Sequence, residues 1–377
     1  MNTTMGDTFR RGRLLAIALL ATWCASCVQI GPGFVAEGRP AYNIAVARTN
    51  DQELLMNLVR LRYSDTPYFT HVERIAAQVQ FNRSLGADGT YTGTTSAAPS
   101  GVTEFLSRAF RLAPAAVSLN ENPSIIYAPV EGEKFVRQMM TPMNPDLLFL
   151  LVKAGWGTDR TFVVGVQEIG SLRNVIGAYG GRGTIADGAE EFKEVAQLLH
   201  TLSEDSMIEV AKETGAPSGV IDLRFIGDGG QSPQARRLRS LLGLSPDQDR
   251  YRFVGGGDVY DPKTIRLLTR SVLGAMGHLA QGIDVPEADL AAGKVRPTVR
   301  IDGTPFDWQS SLKGIFRVRV SSDMPKDASV VVSYRGHYFY IADNDVDTKS
   351  TFLLLTQLIA LHAAPSAAAG LSLSIGR

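Results

Sequence analysis

Hydrophobic positions recur at helical spacing in several stretches of the chain and at alternate positions in several others. Leu54, Leu55, Leu58, Val59 and Leu61 form a helical stripe that stops short of Pro67. Asn50 and Glu53 stand where a capping box would open that helix. Arg60 and Arg62 lie within the stripe and read as a solvated or salt-bridged edge. His71 to Phe81 reads as a strand, with Val72, Ala76, Val79 and Phe81 apolar in an imperfect alternation. Residues 84–101 are small, polar and Gly-rich, the composition of a loop or weak hairpin. Ala115–Leu119 and Ser124–Ala128 read as a short strand pair around the turn Asn120-Glu121-Asn122-Pro123.

Two helices are expected next, from Gly132 to Met140 and after Asn144-Pro145, with Asn144 as N-cap and Gly155 closing the second. Thr161–Glu168 reads as a strand, and Asp187 caps a helix reaching Leu202. Met207–Lys212 and Gly219–Ile226 form a further strand pair, and Ser232-Pro233 opens an Arg-rich helix. Tyr251–Val254 is a strand, and Asp261-Pro262 starts a helix reaching Ala280. Arg296–Ile301, Gly314–Ser321 and Ser329–Ile341 read as strands, Thr348–Leu361 as an apolar helix and Leu371–Ile375 as a last strand. Strand pairs alternating with helices predict an α+β fold with mixed, largely antiparallel sheets and packed helices. The short segment Ala216–Gly219 suggests a division into domains 48–215 and 219–377.

Composition changes this picture at the N-terminus. Arg10, Arg11 and Arg13 precede the apolar run Leu14–Trp23, which is too short for the roughly 20 residues of a membrane-spanning helix. It has the form of an export signal. Both cysteines follow directly, in Cys24-Ala25-Ser26-Cys27. Small residues before a cysteine resemble the lipobox of bacterial lipoproteins, with Cys27 the better acceptor because Ala25 and Ser26 are small; ordinary cleaved secretion and an uncleaved anchor are the alternatives. Cys24 stands where a lipobox usually carries Leu. The expectation is a signal peptide over 1–26 and a lipidated Cys27 with a tether over 27–47, palmitate being one of the acyl chains. Val28 and Gln29 favour the outer membrane by resemblance to enterobacterial sorting, with the body facing the periplasm. Cleavage would remove three Arg and one Asp, turning 38 basic and 38 acidic residues into 35 and 37. A balanced charge gives no electrostatic case for nucleic acid. The body beyond Cys27 has no thiol for a disulfide, a nucleophile or a metal.

Candidate chemistry is sparse. Gly255-Gly256-Gly257 lacks the Lys-Ser/Thr of a phosphate loop and carries Asp258 instead, so it reads as a turn from strand to helix. Asp343, Asp345 and Asp347 resemble the opening of a calcium loop, but Thr348 and Leu354 occupy the positions needing Gly and Glu. They read as a turn with Asp347 capping the next helix. Tyr334 to Tyr340 alternates as a strand with Tyr334, Gly336, Tyr338 and Tyr340 on one face and Arg335, His337 and Phe339 on the other. Tyr334, Arg335, His337, Tyr338, Asp343, Asp345 and Asp347 are the possible ligand-binding set. Arg236, Arg237 and Arg239 read as a solvated helix face. No residue stands out as catalytic, no cofactor is implied, and the five His have no metal-ligand spacing.

The segments Asn57–Phe69 (NLVRLRYSDTPYF) and Tyr334–Phe352 (YRGHYFYIADNDVDTKSTF) resemble a family of uncharacterised proteobacterial proteins often labelled hypothetical lipoproteins. The likeness extends to Phe306-Asp307-Trp308 and Ile375-Gly376-Arg377. It implies an envelope location and no catalytic residue. The leading expectation is a lipid-anchored, non-catalytic binding or scaffolding protein with an envelope protein as partner. A ligand binder or enzyme using His337 with the Asp343–Asp347 turn, and an accessory subunit of an export or assembly machine, remain alternatives.

Overall fold

The computed structural model describes residues 30–84, 116–129, 133–174, 184–185, 189–212, 215, 217–256, 261–300 and 302–362. Residues up to Leu55 and residues from Met56 onward are two compact units. The helix α1, Ile30–Arg62, runs through the boundary and contains Pro40. Residues 30–47 are therefore helical rather than a loose tether. Asn50 lies inside the helix, where it caps nothing. The Gly and Pro residues of this segment signal a break by local propensity, yet the helix continues through them.

From Met56 onward the class is α+β. β1 (Thr70–Ser84) and β2 (Ala116–Pro129) form a two-stranded antiparallel ribbon. The expected turn at Asn120–Pro123 is strand instead, since Pro123 takes its place in the ladder opposite Ala77. α2 (Glu133–Met140) and α3 (Pro145–Lys153) follow. α3 is capped as its sequence predicts: the Asn144 side chain accepts the Asp146 N–H at 3.0 Å, and Gly155, at φ 99°, follows the C-cap Ala154. The expected strand over 161–168 is mostly helix: α4 spans Thr158–Gly165 and β3 only Val166–Ile169. A short apolar run is ambiguous between the two states, and burial on several sides of α4 suits a helix.

β4 (Leu172–Arg173), β5 (Thr184–Ile185), α5 (Ala189–Glu204), β6 (Ile208–Ala211) and β7 (Val220–Phe225) come next. α6 (Pro233–Leu242) has Ser232 as N-cap and Gly243 at φ 63° after its end. β8 (Arg250–Gly255) and β9 (Thr264–Thr269) run parallel, Arg252 opposite Thr264. The expected helix from Asp261 is thus β9, and the helix, α7, begins later at Val272 with Ser271 as its cap. Alternating burial of Ile265, Leu267 and Thr269 is the strand period that a Pro after an Asp conceals. α8 (Glu287–Ala291), β10 (Val299–Arg300), α9 (Trp308–Ser311), β11 (Arg319–Ser321), β12 (Ala328–Tyr334), β13 (His337–Ala342) and α10 (Val346–His362) complete the described chain. The expected helix end at Asp187, the loop beyond Ser84, Gly257 and the strand over 371–375 lie outside the described residues.

The principal sheet has the order β4-β3-β9-β8-β7-β6, antiparallel except for β8–β9. One face is buried through Ile169, Ile221, Leu223, Tyr251, Phe253 and Leu267. There Phe253 meets Phe149 of α3 and Phe162 of α4 at ring distances of 5.1 and 6.4 Å. The other face carries Asp222 between Arg250 (2.9 Å) and Arg252 (3.7 Å). An antiparallel-rich sheet can be wet on one side in this way. β6 and β7 are hydrogen-bonded neighbours flanking residue 215, so the sheet draws on both expected domains and the proposed boundary falls inside a hairpin. A second, antiparallel sheet has the order β11-β13-β12.

Candidate functional site

The two segments that stood out in the sequence meet in space. Asn57 organises the first: its amide donates to the Tyr68 carbonyl (2.7 Å) and accepts the Tyr68 N–H (2.8 Å), folding residues 63–68 back beside α1. This presents Tyr63 and Asp65 to the β12–β13 hairpin. The hairpin turn is Arg335-Gly336, with φ of 50° and 83° and Tyr334 paired to His337. Two positive φ values identify a type I′ turn. The turn breaks the expected strand alternation: Tyr334 and His337 stand opposite one another on the same side as buried Val332 and Phe339.

Asp65 accepts hydrogen bonds from the Tyr334 hydroxyl and from Arg335 Nη2 at 2.9 Å. The Arg335 guanidinium lies 5.0 Å from the centre of the Tyr63 ring and 5.6 Å from that of Tyr334. Tyr63 is buried, packs edge-on against Tyr334 and Phe339, and donates its hydroxyl to Asp289 Oδ2 at 2.7 Å. Lys294 holds the other Asp289 oxygen at 2.6 Å.

The electrostatics follow from these contacts. The bonds from Tyr334 and Arg335 hold the Asp65 carboxyl below the usual range, and those from Lys294 and Tyr63 do the same to Asp289. Burial, then the Asp289 bond, pushes the Tyr63 phenol well above its ordinary value; burial and Asp65 push Tyr334 up. Carboxylates moved down and phenols moved up exchange no proton near neutrality. The cluster is a fixed ion-pair and aromatic latch between the turn after α1 and the hairpin.

The carboxylates of the following turn are engaged elsewhere. Asp343 pairs with Lys349 (2.8 Å), and Asp345 caps α10 by accepting the Thr348 N–H (3.0 Å). Asp347 pairs with Arg160 (2.8 Å). Asp345, not Asp347, is therefore the helix cap. β13 separates His337 from Asp343 by six residues of strand, about 20 Å, so the structure does not bring them together. Tyr338 lies on the opposite side of β13 from His337, facing Ser321 and Ser333. Among the described residues no group of His, Cys, Asp or Glu could hold a metal ion.

Two polar features escaped the sequence. Arg239 is buried, its guanidinium 4.5 Å over the Phe225 ring and bonded to Tyr251, Gly230 and Gln248. It is thus not part of a solvated face, although Arg237, paired with Glu194, is. A groove of about 740 Å³ beside β9 contains buried Glu168 between Arg266 and Arg173. Nothing local marks either: both depend on partners brought together by the sheet. Comparison with protein-family models, with curated proteins and with solved structures finds no match.

Proposed function

We propose that the chain is a lipid-anchored protein of the cell envelope. Cys27 holds it at the outer membrane facing the periplasm, where it has a non-catalytic role in binding or scaffolding an envelope protein. The observation that carries this reading is the N-terminal sequence: three Arg, the ten apolar residues Leu14–Trp23, and small Ala25 and Ser26 before Cys27. The network around Tyr63 supports the non-catalytic part, because its acids and phenols are held away from neutral proton transfer and serve to join two elements. Labelling with palmitate followed by membrane fractionation tests it. Label in the membrane fraction is expected for the full chain and for Cys24→Ser, and the label should be lost in Cys27→Ser. Label retained by Cys27→Ser would refute the anchor.

A further inference from the structure

The β1–β2 ribbon is long for its support. Its strands have 15 and 14 residues, and among the described residues each pairs only with the other. A lone two-stranded ribbon is marginally stable in water, and two open edges of this length invite further strands. The register is also orderly. A bulge after Val72 repairs the broken alternation of the sequence, since Val72 pairs with Tyr127 and Arg74 with Ile126. One face then carries Val72, Ile75, Ala77, Val79, Phe81 and Arg83 with partners Tyr127, Ile125, Pro123, Glu121, Leu119 and Val117. The other carries His71, Arg74, Ala76, Gln78, Gln80 and Asn82 with Ala128, Ile126, Ser124, Asn122, Asn120 and Ser118.

A mostly apolar face opposite a polar one, rich in Gln, Asn and Ser with Arg74 and His71 toward the root, is the pattern of strands with lipid on one side and a watery lumen on the other. About 9–11 residues per strand suffice to cross a bilayer, and this ribbon exceeds that. At its root Phe69 packs edge-on against Phe135 of α2 at 5.4 Å, while Tyr68, Val136 and Met140 are exposed. Aromatic and apolar residues in that position suit the membrane–water boundary. Glu121 is an acid on the apolar face, and Pro123 removes one rung of the ladder.

We propose that the β1–β2 ribbons of several copies of this chain pair edge to edge into a closed antiparallel β-barrel that crosses the bilayer, apolar face outward and Gln/Asn face inward. Two strands per copy and a minimum of about eight strands in a closed barrel require at least about four copies. The proposal rests on the envelope reading only for the membrane it enters, and the oligomer and release measurements do not depend on Cys27.

The full chain, purified in mild detergent, should have the mass of at least about four copies by light scattering, and should release entrapped dye from phosphatidylcholine–phosphatidylglycerol vesicles. Ile75→Asp, on the apolar face, should lower release at least about tenfold, the cost of a charge in lipid, with the circular dichroism melt unchanged. Gln78→Lys, on the other face, should preserve release and raise anion over cation permeability. A single-copy mass, absence of release by the full chain, or equal losses in the two variants would overturn the barrel. Should Ile75→Asp fail to fold, unchanged ion preference in Gln78→Lys overturns it. The Cys27→Ser chain, run in parallel, keeps the tests distinct: loss of its palmitate label bears on the anchor, and its mass and release on the ribbon.

Discussion

Asp65 and Asp289 meet the same kind of partner in different surroundings, and the difference sets their weight. Asp289 is buried and is the acceptor for the hydroxyl of buried Tyr63. Asp289→Ala leaves that hydroxyl without its bond and should cost about 1–3 kcal/mol by denaturant melting. Asp65 and Arg335 keep 39% and 38% of their side chains in solvent, so Asp65→Asn should cost no more than about 1 kcal/mol. Both carboxyls sit lower in the folded chain than unfolded, so each contributes stability above about pH 4 and loses it as pH falls further. The melting temperature should therefore decline below about pH 4, and less steeply in Asp289→Ala. Neither Tyr63 nor Asp289 could be singled out from sequence, because 226 positions separate them.

Elements were legible where a local bond defines them. Asn144 and Ser232 cap the helices their sequences announce, each with Pro in the first turn. Elements were misread where a local signal had two meanings. Asp261 does accept the Lys263 N–H at 3.1 Å and the Thr264 hydroxyl at 2.9 Å, but as a turn that leads into β9. The true cap is Ser271, whose side chain accepts the Gly274 N–H at 3.0 Å, and Ser271→Ala should cost about 1 kcal/mol. The hairpin turn hid inside an alternating aromatic run because Arg is a rare choice for positive φ. Gly336→Ala should lower stability by about 1 kcal/mol, read as a fall in melting temperature, because it adds a Cβ at φ 83°.

At the scale of the whole unit from Met56, the principal sheet decides the organisation. β3 and β9 are neighbours although some hundred residues of chain lie between them, and Trp156 reaches Gln357 of α10 at 2.8 Å. Fragments 48–215 and 219–377, expressed separately, should each lack a cooperative thermal transition, since each would hold only part of one sheet. A cooperative melt of either alone would restore the expected boundary.

By itself the sequence determined the α+β class, the helices capped by Asn144 and Ser232, the β6–β7 strand pair, and the pattern on which the anchor at Cys27 is proposed. All of these are written in residues within a few positions of one another, where period, cap and turn chemistry act. Tertiary structure alone decided that one sheet spans residue 215, that Tyr63 and Asp65 lock onto the hairpin, and that the Asp343–Asp347 carboxylates part from His337. It also decided that a bulge after Val72 gathers five apolar positions on one face of a ribbon. These depend on which distant strands pair and in what register, and a shift of one residue in register exchanges every face.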